Sequence, residues 1–63
     1  MNYADAIKEY RRKALITQEE LADKLGVSFA TVNRWEMGHH VPTMKMKRKL
    51  RPLLLKKGIK VDD

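Results

Sequence analysis

Sixty-three residues without a cysteine make one small domain that neither a disulfide nor a thiolate-bound metal can reinforce. A chain this short buries only about 60% of the surface its unfolded form exposes, so little is left for a substrate pocket once a core is filled; the expectation is a non-enzyme with no cofactor. Fourteen Lys and Arg against eight Asp and Glu give a net charge of +6 and favour an anionic partner, while no apolar run reaches membrane-span length and no hydrophobic signal segment opens the chain. The absence of cysteine suits a reducing cytoplasm, the expected location.

Residues 4 to 14 read as a first helix. Ile7, Tyr10 or Arg11, and Ala14 share one face, with Lys8, Glu9, Arg12 and Lys13 outside. Leu15 and Ile16 are expected to turn inward and close the core. Residues 17 to 36 then read TQEELADKLGVSFATVNRWE, two short helices joined by a glycine turn. Thr17 is the N-cap of the first, with Glu20 three residues on to complete a capping box. Leu21, Ala22 and Leu25 form its apolar face, and Gly26 supplies the left-handed residue that ends it. Ser28 caps the second helix, which runs to about Met37 with Val32 and Trp35 on one side. Ala22 falls where the two helices cross, and a larger side chain there would push them apart.

Gly38 ends this second helix, and His39, His40 and Val41 form a loop. Thr43 caps a last helix over residues 43 to 57, in which Met46, Leu50, Leu53 and Leu54 make a stripe at helical spacing. Leu55 is the leucine expected to face solvent. Pro52 lacks an N–H and crowds the carbonyl of Arg48, which predicts a kink near Arg48 or a split into two helices. Gly58 ends the helical part and residues 59 to 63 form a short tail. The predicted fold is a compact all-α domain of four to five helices spanning residues 1 to 63, with residues 17 to 37 at its centre.

The distribution of charge adds to its total. Residues 1 to 36 hold six basic and six acidic side chains, whereas residues 37 to 61 hold eight basic ones and no acid. The excess lies after the helix pair, which suits a phosphate-gripping flank beside a nearly neutral reading surface.

Such a helix pair is a device for presenting one helix to the major groove of DNA. Gln18, Leu21, Ala22, Leu25, Gly26, Val27, Val32 and Trp35, with the exit Glu36-Met37-Gly38 and Pro42, resemble the framework of the Cro and phage-repressor (Xre-type) helix-turn-helix family over roughly residues 5 to 55. The resemblance implies a lambda-repressor-like fold, binding to double-stranded DNA and a role as a small transcriptional regulator, most simply a repressor. It also implies base contacts from Phe29, Ala30, Thr31 and Arg34, and contacts to the DNA backbone from Gln18, Ser28, Asn33, His39 and Lys45. Arg11 and Glu36 match positions that form an ion pair between the first helix and the end of the recognition helix, with Arg12 as the fallback partner. Ala22, Gly26, Val32 and Trp35 fall on structural positions.

Physical chemistry qualifies each of these roles. Arg34 has the guanidinium that pairs bidentately with guanine O6 and N7, worth about 1–3 kcal/mol of discrimination; its other roles are a phosphate contact or a solvated surface. Phe29 and Ala30 depart from the polar residues common in the family and offer only apolar contact to a thymine methyl; Phe29 has a second reading as a plug of the core. Gln18 opens a helix whose free N–H groups and dipole attract a phosphate oxygen. Asn33 and Thr31 reach either phosphate, a base edge or solvent. His39 and His40 make a poor metal site without a third ligand, so no metal is expected.

Two-fold pairing is usual in this family, so a homodimer is expected, formed in solution or only on DNA, through a small exposed patch of the last helix. The alternative function is an antitoxin or adaptor whose last helix binds a protein partner, with Leu55 as its exposed apolar contact. A third reading places residues 45 to 60 at an anionic membrane surface, against which Pro52 and the core's need for the leucine stripe both weigh.

Overall fold

A computed structural model describes residues 1–62, arranged as four helices and no strand among the described residues: α1 (Tyr3–Ala14), α2 (Gln18–Leu25), α3 (Phe29–Glu36) and α4 (Met44–Lys56). Each begins on a side chain that accepts a hydrogen bond from the main chain three residues later. Asn2 takes the Asp5 N–H at 2.8 Å, Thr17 that of Glu20 at 3.1 Å, Ser28 that of Thr31 at 3.1 Å and Thr43 that of Met46 at 3.3 Å. Glu20 completes the box by accepting from the Thr17 N–H at 2.9 Å. Such caps satisfy main-chain donors that the first turn leaves without partners.

The four helices also end alike. A left-handed residue follows or closes each one, and the next N–H reaches back five residues: Ile16 to Arg11, Val27 to Ala22, His39 to Arg34 and Ile59 to Leu54, all at 2.9–3.2 Å. The left-handed positions are Leu15, Gly26, Gly38 and Gly58. Three glycines reach this conformation without Cβ strain, and Leu15 (φ 57°) does not. The next residue is apolar in three of the four turns, and Ile16, Val27 and Ile59 all pack against the core. Leu15 is therefore spent on the turn and points outward, 88% exposed, contrary to the expectation that it closes the core; Ile16 alone does so.

The core is one cluster. Tyr3, Ala6, Ile7 and Tyr10 come from α1, Leu21, Ala22 and Leu25 from α2, Val32 and Trp35 from α3, and Leu50 and Leu54 from α4. Of the alternatives on the first helix, Tyr10 is the buried one and Arg11 lies at the edge. The helix α1 packs on both α3 and α4, and α2 packs on α3.

Two features of the C-terminal part bear on the expectations. Pro52 does not split the last helix: α4 is one element of thirteen residues with Pro52 inside it. Pro52 and Arg48 are both exposed, so the carbonyl that loses its helical donor has solvent beside it. The short tail after Gly58 has no helix among its described residues and packs back on the domain. Ile59 is buried in the core and Val61 packs against it. The Asp62 N–H donates to the Met1 carbonyl at 2.9 Å, and the Asp62 carboxylate pairs with the N-terminal ammonium at 3.1 Å. Asp63, the end of the expected tail, lies outside the described residues.

Two lysines are used inside the fold. Lys49 donates to the Leu25 carbonyl at the end of α2 (3.4 Å), and Lys13 to the Lys57 carbonyl at the end of α4 (3.0 Å). Both place a cation at the negative end of a helix dipole. Lys47 lies 5.2 Å from the centre of the Tyr3 ring.

Candidate nucleic-acid interface

The helix α3 buries Val32, Trp35 and Glu36 and presents Ala30, Asn33 and Arg34 on its other side, with Phe29 at the margin of that surface. Ala22, where α2 crosses it, is fully enclosed, and Gly26 (φ 72°) makes the reversal between the two helices. The surface is thus held from behind by side chains that cannot move without opening the core.

Glu36 anchors the arrangement. The residue is 6% exposed, and its carboxylate accepts from Arg11 Nε at 2.5 Å and Arg11 Nη2 at 2.8 Å, a two-point pairing that matches the planar guanidinium. The bonded carboxylate raises the Arg11 pKa above the ordinary arginine value, while partial burial opposes that rise. Arg11 also donates to the Ile16 carbonyl at 3.3 Å. Arg12 instead pairs with Glu9 on the surface of α1, and that contact lowers the Glu9 pKa.

Gln18 joins the same network. Its amide nitrogen donates to Glu36 Oε1 at 3.1 Å and to Asn33 Oδ1 at 3.4 Å, so both donors of the side chain point inward. Sequence reasoning assigned Gln18 and Asn33 to DNA and missed their link to each other and to Glu36. The spacing held a trace of it, since Asn33 and Glu36 are three residues apart on α3 and share an edge. Ser28 and Thr31 are likewise engaged, their hydroxyls 2.9 Å apart.

Phe29 is 50% exposed, which removes its reading as a core plug. With Ile16, Thr17, Gln18 and Glu19 it lines an open depression of about 530 Å³ between the starts of α2 and α3. Arg34, Thr31 and Thr43 share a smaller depression of about 200 Å³ with His40 and Val41. His39 and His40 were weighed together as loop residues and only His39 was assigned to the DNA backbone, whereas His40 is the one that lines the depression with Arg34. His39 is exposed, and Lys45 is exposed in the first turn of α4. Among the described residues no three His, Asp or Glu side chains gather as a metal site, and no helix is long and apolar enough to cross a membrane.

A four-helix domain whose second and third helices are locked by a glycine turn, with one outward-facing helix surface, defines the class: a small helix-turn-helix domain. The sequence bears this out. Residues 7–50 match the helix-turn-helix family, and the chain belongs to it, in the Xre-type branch whose members are DNA-binding regulators of transcription. An uncharacterized HTH-type transcriptional regulator of Methanocaldococcus jannaschii is 39% identical over 57 residues, which cover 90% of this chain and 82% of that protein. An uncharacterized HTH-type transcriptional regulator of Archaeoglobus fulgidus is 43% identical over 44 residues, 70% of this chain and 62% of that protein. No solved structure gives a significant match.

Proposed function

We propose that the chain is a cytoplasmic, nucleoid-associated repressor that reads double-stranded DNA by laying α3 in the major groove. The observation that carries this reading is the outward surface of α3, where Arg34 and Ala30 stand free of the core while Val32, Trp35 and Glu36 fix the helix from behind. Arg34 takes a guanine, and Ala30 and Phe29 take thymine methyl groups beside it. Thr31 contributes at the edge of that surface.

Phosphate contacts flank it. The donors of the Gln18 side chain are engaged with Glu36 and Asn33, so at α2 the phosphate falls to the main-chain N–H groups of its first turn, with Gln18 holding that turn against α3. His39, Lys45 and the hydroxyl of Ser28 grip the backbone around α3, and Asn33 adds its amide N–H groups while its Oδ1 accepts from Gln18. Two copies bind a two-fold site with their α3 helices about 34 Å apart, one turn of DNA. Residues 1 to 63 act as one unit, residues 17 to 37 reading and residues 43 to 57 flanking.

The test is selection of bound sequences from random DNA at about 150 mM salt, where purely electrostatic binding is suppressed. A palindromic motif should emerge, and Arg34→Ala should relax one G·C position in each half at a cost of about 1–3 kcal/mol. Lys45→Ala should weaken all sequences alike and reduce the salt slope by about one. Salt-sensitive binding with no enriched motif would overturn sequence reading by this chain.

A further inference from the structure

The depression of about 530 Å³ between the starts of α2 and α3 has apolar walls in Ile16 and Phe29. Ala30, exposed, follows Phe29 on the outward side of α3. Most of the polar walls are already engaged. Thr17 accepts from the Glu20 N–H, Gln18 donates to Glu36 and Asn33, and Arg11 is bound to Glu36 and the Ile16 carbonyl. Glu19 is the remaining one, exposed, and an acceptor there tolerates the N4 amino group of a cytosine. Arg34, exposed one turn after Ala30, can only donate, which suits guanine O6 and N7. What remains to distinguish the base beside that guanine is apolar contact, and in the major groove apolar contact is made with a C5 methyl group.

We propose, resting on major-groove reading by α3, that Ile16, Phe29 and Ala30 sense pyrimidine C5 methylation: they take 5-methylcytosine as they take thymine and discriminate against unmodified cytosine. The two favoured bases carry the same methyl at the same ring carbon. They differ at position 4, where thymine has a carbonyl and 5-methylcytosine an amino group. Apolar side chains bond to neither, so the shared methyl decides. A glutamine or asparagine at 29 or 30 would separate them, because its amide answers a donor differently from an acceptor. Unmodified cytosine leaves the exposed Phe29 ring without its contact. Ala30 and Arg34 are one helical turn apart, about 5.4 Å, against about 3.4 Å between stacked bases, so methyl and guanine belong to neighbouring pairs. The depression adjoins the outward surface of α3, and one duplex covers both.

The test offers the full chain three random DNA libraries at about 150 mM salt. One has ordinary bases, one has every cytosine replaced by 5-methylcytosine, and one has every thymine replaced by uracil. The replacements add or remove a methyl and leave base pairing intact. With ordinary bases, thymine should outrank cytosine beside the guanine taken by Arg34. In the methylated library cytosine should rise to at least the level of thymine there, and in the uracil library uracil should lose its advantage. On duplexes carrying the selected motif, each methyl should change affinity by about fourfold. Phe29→Ser should erase the methyl preference and keep the guanine, with unchanged circular dichroism establishing that the variant folds. A motif with the same base preferences in all three libraries would overturn methyl sensing and leave reading by α3 standing. No motif in any library would overturn both. A methyl preference that survives Phe29→Ser would also overturn the proposal, because another surface would then hold the methyl.

Discussion

The α2–α3 pair and the segment from α4 onward solve the same problem in opposite ways. The pair carries four acids against two cations, has a capping box and a glycine turn, and buries one of those acids, Glu36, under Arg11 and Gln18. The later segment carries eight cations against two aspartates at its very end, holds a proline inside its helix, and needs Ile59 beyond its last turn to complete the core. The pair is specified by local rules that agree with one another. The later segment is kept in place mainly by what it packs against. The lesson is that a helix with poor local credentials survives when its apolar stripe has somewhere to go.

The largest test of that contrast is Ile59→Ala. If residues after Gly58 belong to the core, it should cost about 2–4 kcal/mol, a large share of the roughly 3–9 kcal/mol a domain of this size possesses. Thermal unfolding should show the midpoint falling by more than about 10 °C; an unchanged midpoint would mean α4 seals the core without help.

Within the pair, Glu36→Ala should cost about 2–3 kcal/mol, because Arg11 and Gln18 both lose an acceptor in a partly buried place. The double variant Arg11→Met with Glu36→Met should recover most of the loss. Urea unfolding of the single and double variants measures the coupling, and additive losses would deny that the network acts as a unit.

Pro52→Ala should act in the other direction. Restoring an N–H for the Arg48 carbonyl and removing the ring should add about 1–3 kcal/mol, read as a higher urea midpoint at unchanged slope. A neutral result would mean that the helix around Pro52 had already relaxed. The smallest effect is expected at the one turn that lacks glycine. Leu15→Gly should raise stability by about 0.5–1 kcal/mol through relief of left-handed strain, and Gly26→Ala should lower it by about 1 kcal/mol. Calorimetry of both variants should give opposite signs.

Much of this was legible along the chain. Thr17, Glu20, Gly26, Ser28 and Thr43 announce helix ends through interactions that span three to five residues, and such interactions can be read in order. The stripe of Leu50 and Leu54 was legible for the same reason, because helical periodicity is local. Leu15 was misread, since a leucine after a helix suggests burial and only the turn geometry shows that Ile16 takes the inward place. Of the two outcomes expected at Pro52, the split does not occur, because propensity describes a helix without its neighbours and burial of α4 outweighs it.

The site divides along the same line. The sequence by itself determined that α3 would carry Arg34 outward and Val32 and Trp35 inward, since one helical period settles which residues share a face. It also determined the basic bias of the later segment. Only the tertiary structure decided that Gln18 turns to Glu36 and Asn33, that Lys49 and Lys13 close helix ends, and that Ile59 completes the core. Those contacts join residues 15 to 44 or more positions apart, or depend on how the helices stack, and no local pattern encodes such meetings.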